Sequence, residues 1–418
     1  MTTINFPQRS KIAAVFKENR MPTAGIICEY NPFHRGHAWQ LAEIRARLGA
    51  ETPVVCAMSG SFVQRGGFAV MRAHARAEAA VRGGADLVLE LPLPWAVSSA
   101  EGFAAGGVAV LAATGVADTL AFGSECGDTE TLKSVAAALD TELFSSRLRL
   151  TLQTGVSYAA ARESAARELL GGAASVLAQP NDILGVEYCK AIARQNAALE
   201  PLALPRRGVG HDGGAVEGFA SASHIRELLI NGGSADEFLT PESAALCARE
   251  RAAGRAPVTM ASAERAVLSR LRAMCAEDFA PYDTGGEGLY HRFYAAVQRE
   301  TTVEGILAAA KSKRYAHARL RRMLLSAFLG VTPEDMPERI PYLRVLACSA
   351  RGRELLRRMK KTAAAPILTR SADVRKLGAD AQRLFALTAR AEEQYVLAYP
   401  SLAAAKPGSA WTTDPVIL

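Results

Sequence analysis

The sequence predicts an α/β protein, a doubly wound parallel sheet followed by a mostly helical region. Short apolar runs, Gly25–Cys28, Val54–Met58 and Leu87–Leu91, alternate with helically spaced stretches from Ala24 to about Arg226. Runs of that length bounded by turn-formers read as strands buried on both faces, and strand–helix alternation implies parallel pairing with ligands at the carboxyl ends of the strands. After Gly232-Gly233 the texture shifts to Ala, Leu, Arg and Glu at helical spacing, as in Ala266, Leu268, Leu271 and Met274. A length of 418 residues fits two or three domains at roughly 150 residues each. No run reaches ~18 uninterrupted apolar residues, so no transmembrane helix is expected.

Taken in order, residues 1–20 show no apolar period and carry four basic residues, which reads as a disordered extension or an upstream start. Glu18 and weak amphipathicity argue against a transit peptide. Met21-Pro22 opens onto the first strand, inside the stretch AGIICEYNPFHRGH from Ala24 to His37. Trp39, Leu41, Ala42, Ile44, Ala46 and Leu48 then continue at roughly helical spacing, so His34 and His37 sit where a strand hands over to the first turn of a helix. Free N–H groups and the helix dipole make that junction a phosphate site, and Gly36 admits a close backbone approach. Two imidazoles three residues apart can steady charge growing on such a phosphate.

The strand Val54–Met58 ends in the loop Ser59-Gly60-Ser61-Phe62, followed by a helix over 72–82, the strand Leu87–Leu91 and a helix over 99–113. Ser98 and Glu101 have capping-box spacing, while Gly102 inside that helix costs ~1 kcal/mol relative to Ala. Leu120–Phe122 is a short strand. Pro180-Asn181-Asp182 precedes a helical run, so either polar residue serves as an N-cap or as a ligand contact. Leu202–Leu204 is a strand leading into Arg206-Arg207. Ser221 to Arg226 starts another helix, where Ser223 and Arg226 suit a polyphosphate as well as they suit a plain cap with a surface Arg.

The composition, 49% hydrophobic and 22% charged, is that of an ordinary globular protein. Its seven cysteines are scattered singly, so reduced thiols, a cytoplasmic location and no protein metal site are expected. The net charge of +7 is concentrated: residues 311–361 hold 14 Lys or Arg against four acids. That density is a footprint for polyanions, set against the plainer reading of a solvated helix face.

His34-Arg35-Gly36-His37 resembles the HxGH signature of the nucleotidyltransferase superfamily, and GIICEYNPFHRGH resembles the start of the bacterial tRNA(Met) cytidine acetate ligases. The similarity extends through SGSFVQRGG (59–67), GADLVLELP (84–92), FGSE (122–125), QPNDILGVEY (179–188), SASHIR (221–226) and KRYAHARLRR (313–322). The resemblance implies a Rossmann-like nucleotidyltransferase domain over 21–235 that binds ATP and a helical, basic, tRNA-binding domain over 236–418. It implies catalytic roles for His34 and His37. ATP contacts would come from Gly25, Ile26, Ile27, Glu29, Tyr30, Asn31, Pro32, Phe33, His34, Gly36 and His37, then Gly102, Asn181, Ser223, Arg226 and either Arg206 or Arg207. Close approach of an adenine ring would account for Gly102.

ATP as co-substrate with Mg2+, acetate as the acid, and the wobble cytidine of elongator tRNA(Met) as acceptor, giving N4-acetylcytidine, are likewise implied. Lys313, Arg314, Arg319, Arg321, Arg322, Arg357 and Arg358 are the expected tRNA contacts, with Tyr315 and Tyr342 as stacking partners. Ser59, Gly60 and Arg65 are expected to shape an acetate pocket closed by Phe62. Two departures stand out. Gly67-Phe68 replaces an acid and a proline, which is expected to make the loop more mobile, and His224 stands where relatives carry a small hydroxyl residue. A coenzyme-type adenylyltransferase and a non-catalytic RNA-binding factor are the competing readings.

Overall fold

A computed structural model describes residues 21–206, 218–286, 288–313 and 315–418. The expectations for residues 1–20, Arg207 and Arg314 lie outside the described residues. The first half alternates strands and helices: β1 Ala24–Cys28, α1 Arg35–Leu48, β2 Val54–Ser59, the hairpin strands β3 Phe62–Val63 and β4 Gly67–Phe68, α2 Ala73–Arg82, β5 Leu87–Leu91 and α3 Ala100–Ala113. Next come β6 Thr119–Ser124, α4 Thr129–Leu139, α5 Glu142–Gln153, α6 Tyr158–Leu170, α7 Pro180–Arg194, β7 Glu200–Pro205 and α8 Ala222–Ile230. The second half holds α9 Pro241–Ala252, α10 Glu264–Arg272, α11 Leu289–Val297, α12 Val303–Ala310 and α13 His317–Leu329. It closes with β8 Leu343–Cys348, α14 Ala350–Thr362, β9 Ile367–Leu368, α15 Ala379–Val396 and β10 Val416–Ile417.

The main sheet runs β10-β8-β5-β2-β1-β6-β7, with β9 also paired to β8. From β5 to β7 every pairing is parallel, Ile26 opposite Cys56 and Leu120 opposite Gly25. Strand side chains alternate between two cores: Ile27, Val55 and Leu89 pack with residues of α3 and α7 on one face, Ile26, Cys56 and Val88 with residues of α1 and α2 on the other. Because both faces are covered, the strands read as unbroken apolar runs.

The sequence reading of 236–418 as a helical unit needs correction. Residues up to α13 fit it, joined by Leu387, Ala391 and Tyr395 from the later helix α15; their core is built from Val267, Phe293, Ile306 and Leu324 and takes in Phe62 and Phe68 of the hairpin. Leu343–Cys348 returns to the sheet as β8, antiparallel to β5. Its partner lies some 250 residues upstream, and the flanking Arg-rich stretches mask a six-residue strand. Arg344, counted above as a surface cation, is instead buried and donates to Glu90, the Ser371 hydroxyl and the Ala410 carbonyl. Tyr342 is also buried, against Phe385, and offers no stacking face to RNA.

β8 runs against β5, so α14 begins at the amino ends of the parallel strands: Ser349 bonds Asp86, and Arg351 pairs with Glu51. Its other end, Thr362, bonds Thr114 at the foot of α3. Arg357 and Arg358 therefore stand at the edge of the sheet opposite the carboxyl ends, and the basic segment 311–361 is split between two faces.

Candidate nucleotide and acceptor site

The carboxyl ends of β1, β6 and β7 open into a cleft of about 740 Å³. The amino ends of α1, α3, α7, α8 and α13 reach it through Gly36, Ala100, Pro180, Ala222 and Ala318. Several positive helix ends aimed at one space favour an anion. One side of the cleft is apolar, formed by Ile26, Ile27, Phe103, Phe122, Leu184 and Leu204, and suits a nucleobase. Among the described residues the polar side carries Arg65, Arg206, Arg226 and Arg322 against one acid, Glu29.

His34 is the N-cap of α1. Its Nδ1 accepts from the Gly36 N–H at 3.0 Å, and the Nδ1 of His37 accepts from the His34 N–H at 3.3 Å. These bonds close a capping box with imidazoles in place of the usual hydroxyl and carboxylate. With both Nδ1 atoms accepting, a neutral ring carries its proton on Nε2 and keeps it available to donate. The rings stack with centroids 3.7 Å apart. Burial, then the charges of Arg206 and Arg226, holds His34 down at about 3. Burial, then His34 and Arg206, holds His37 well below its ordinary value. Near neutral pH the pair is two uncharged donors.

The loop before α1 is pinned from beneath. Arg76, fully buried on α2, donates to the carbonyls of Met71 at 2.9 Å and Ser59 at 3.0 Å, and to those of Glu29 and Gly60. One guanidinium thus ties the ends of β1 and β2 together. Asn31 Oδ1 accepts from Val70 N–H at 2.7 Å, and Arg226 donates to the Asn31 carbonyl at 2.9 Å and to Ser223 Oγ at 3.0 Å. Across the cleft, Asn181 donates to Glu125 through its N–H and side chain, while the carboxylate of Asp182 accepts from Ser124 and the Glu125 N–H.

The structure brings together Ile26, Ile27, Glu29, Tyr30, Asn31, His34, Gly36, His37, Asn181, Arg206, Ser223 and Arg226 on the cleft lining, with Arg65 from the expected acid pocket and Arg322 from the expected RNA set. Others lie outside it. Gly25 sits beneath α3, where a Cβ would meet Leu111 at 2.7 Å, and Phe33 is buried edge-on to Tyr30. Pro32 is buried behind the loop. Gly102 follows the true cap, Ser99, and a Cβ there would lie 2.5 Å from Ser98 Oγ. Crowding by Ser98 therefore accounts for this glycine without a ligand.

Ser59 and Gly60 face away from the cleft, Gly60 toward Glu90. Phe62 is buried against Phe68 and Tyr395, so it closes no pocket there. Gly67 belongs to β4, opposite Val63, which is a paired position and not a loosened one. His224 packs on Phe238 and does not line the cleft. Among the expected RNA contacts, Arg319 pairs with Asp283 at 3.1 Å and stacks over Tyr315, Arg321 lies 3.9 Å from Glu304, and Lys313 is exposed.

Sequence reasoning missed Arg76, Gln64 and Glu125. Arg76 lies in an Ala-rich helix where an arginine reads as solvated. Gln64, whose N–H donates to Glu29 at 2.8 Å, is one residue from the arginine that was singled out. Glu125 closes a quoted block, FGSE, which was the available signal.

A parallel α/β fold with paired imidazole donors at a strand–helix junction of a cationic cleft defines a nucleotide-handling protein of the nucleotidyltransferase class. Residues 21–409 match the model of the HIGH Nucleotidyl Transferase family. Similar proteins include the tRNA(Met) cytidine acetate ligase of Acetivibrio thermocellus, 34% identical over 95% of this chain and 100% of that one, and that of Halothermothrix orenii, 35% identical over 84% and 87%. The chain belongs to the tRNA(Met) cytidine acetate ligase family. Crystal structures of Thermotoga maritima TmcAL superpose at TM-scores of 0.90 for the apo form and 0.89 for the form bound with alpha-thio ATP. They are 31% and 32% identical, and each match covers 95% of this chain and 100% of the other.

Proposed function

We propose that this protein condenses acetate with ATP to form acetyl-adenylate and pyrophosphate, and then passes the acetyl group to the N4 amine of the wobble cytidine of elongator tRNA(Met). The observation that carries this reading is the His34–His37 pair, two neutral Nε2–H donors at the mouth of a cleft that is cationic on one side and apolar on the other. The base fits the apolar side, and the phosphates fit the converging helix ends with Arg206 and Arg226. As an acetate oxygen attacks the α-phosphorus, the bond to pyrophosphate breaks and charge grows on the α-phosphate oxygens, where donors of fixed geometry act most strongly. In the second step the cytidine amine attacks the acetyl carbon, AMP leaves with the bonding pair, and the amine releases a proton.

Among the described residues no three His, Cys, Asp or Glu gather as a metal site, and Glu29 is the cleft's one carboxylate. Mg2+ would accordingly be held chiefly by the triphosphate, lowering its charge for an anionic nucleophile. For RNA, the cations around the start of α13, exposed Lys313 and half-buried Arg321 with Arg319 beside them, suit phosphates of an anticodon stem. Exchange of labelled pyrophosphate into ATP that depends on acetate, followed by mass analysis for N4-acetylcytidine after tRNA is added, tests both halves. Exchange that ignores acetate but appears when a phosphate-bearing acceptor such as phosphopantetheine is added would instead mark a coenzyme-type adenylyltransferase.

A further inference from the structure

The four arginines that line the cleft among the described residues come from different elements. Arg206 follows β7, and Arg226 on α8 donates to the Asn31 carbonyl and to Ser223 Oγ, so both flank the His34 end of the cleft, where the phosphates are proposed to lie. Arg65 and Arg322 line the same cleft from other elements, close enough for the charge of Arg65 to act on both Arg226 and Arg322. Arg65 comes from the turn of the β3–β4 hairpin and Arg322 from α13, and among the described residues neither has an ion pair or a hydrogen bond. Glu29 is the one acid of the described lining and acts on Arg226, so the gathered guanidiniums leave a positive surplus that favours an incoming anion.

Their spacing is fixed by the backbone. Gly66 has φ +75°, and a Cβ on it would lie 2.5 Å from the carbonyl carbon of Arg321 and the nitrogen of Arg322. The turn that carries Arg65 is thus seated directly on the helix that carries Arg322. The neighbouring cleft wall is made of Ala316 and Ala318. Burial and the nearby charges of Arg319 and Arg65 depress the Arg322 guanidinium, which sets it apart from the more solvated cations expected to grip RNA.

We propose that Arg65 and Arg322 together form the carboxylate subsite for the acid substrate, the guanidiniums holding the two oxygens and Ala316 and Ala318 bounding its short alkyl group. This rests on the acid-activating reading above and makes the site composite, since α13 then takes part in adenylate formation as well as in RNA binding. A guanidinium fork matches a carboxylate bidentately, and the positive pair offsets the repulsion between acetate and the triphosphate.

The test is pyrophosphate exchange by the full-length protein without tRNA, titrating sodium acetate and separately ATP, for wild type, Arg65→Gln, Arg322→Gln and Arg322→Lys. The KM for acetate should rise at least tenfold in both Gln variants and by less in Arg322→Lys, with the KM for ATP within about twofold of wild type. Arg65 is exposed, so its variant remains informative if Arg322→Gln is poorly folded. An unchanged acetate KM in the folded variants overturns the subsite: a raised ATP KM would reassign the pair to phosphate, and a defect seen only with tRNA would reassign it to RNA. If wild type shows no acid-dependent exchange, the acid-activating reading itself fails along with the subsite.

Discussion

At the scale of single residues, function rests on protonation states that burial sets. His34→Ala or His37→Ala should lower acetate-dependent exchange about a hundredfold or more, as loss of a positioned transition-state donor does. The cap lost with His34 costs only about 1 kcal/mol, so circular dichroism should still report a folded protein. His34 and His74 are both held at about 3, by burial and by neighbouring arginines. The unfolded chain takes up these protons near 6.5, whereas the folded chain resists them until about 3, so stability should fall as pH drops below about 6.5. Replacing His74, which lies outside the cleft, by Asn should shrink that slope; an identical slope of Tm between pH 6.5 and 5 would show that His74 titrates freely when folded. The HxGH pair was legible because its order and spacing survive in one short string. Arg76 was not, because burial of a cation is decided by four carbonyls from three separate segments that only the fold brings together.

At the scale of elements, the α/β half could be read closely. The expected strand 54–58 and helix 72–82 are observed as Val54–Ser59 and Ala73–Arg82, since unbroken apolar runs and helical periodicity are local signals. The hairpin was invisible. Strands of two residues carry no period, and what orders them is Phe62 and Phe68 entering the core of the helical unit. Gly66→Ala tests that seat. The new Cβ meets backbone rather than a mobile side chain, and φ +75° disfavours any Cβ by about 1–2 kcal/mol. Loss of at least about 2 kcal/mol in denaturant unfolding is expected, together with a raised KM for acetate as Arg65 moves away from Arg322. A neutral result would mean that the hairpin shifts away from α13 without strain. The network around Glu250 is a second element-level tie: its buried carboxylate accepts from Arg72, Arg249 and Arg255 and is held at about 2, through hydrogen bonds to Arg255 and Arg72 that outweigh its burial. Glu250→Gln would leave three arginines around a neutral amide and should cost about 3 kcal/mol.

At the scale of the whole molecule, sequence reading went astray where partners lie far apart in the chain, and this changes what can be cut or charged without harm. The basic segment read as one surface is two, separated by the length of the sheet, roughly 17 Å for a five-residue strand plus its loops. A short RNA stem-loop at the cleft should therefore bind with a reduced salt slope after Arg321→Gln, by about 0.7 to 0.9, and with an unchanged slope after Arg357→Gln. The same long-range pairing decides whether 21–235 can stand alone, as the texture change after Gly233 suggests. In the whole chain, β8 covers the outer edge of β5, and Arg344 on β8 pairs with buried Glu90 on β5 at 3.2 Å. A fragment ending at residue 235 would expose that strand edge, leave Glu90 without its cation and strip Phe62 and Phe68 of the helical unit they are buried in. Losing the sheet edge, the Glu90–Arg344 pair and the apolar cover of Phe62 and Phe68 together removes a large part of the stability of a typical domain. The expected outcome is a fragment without a cooperative thermal transition and without acetate-dependent exchange. A fragment that melts cooperatively and retains exchange would show that the nucleotide half folds independently of β8 and would also remove α13 from the acid site.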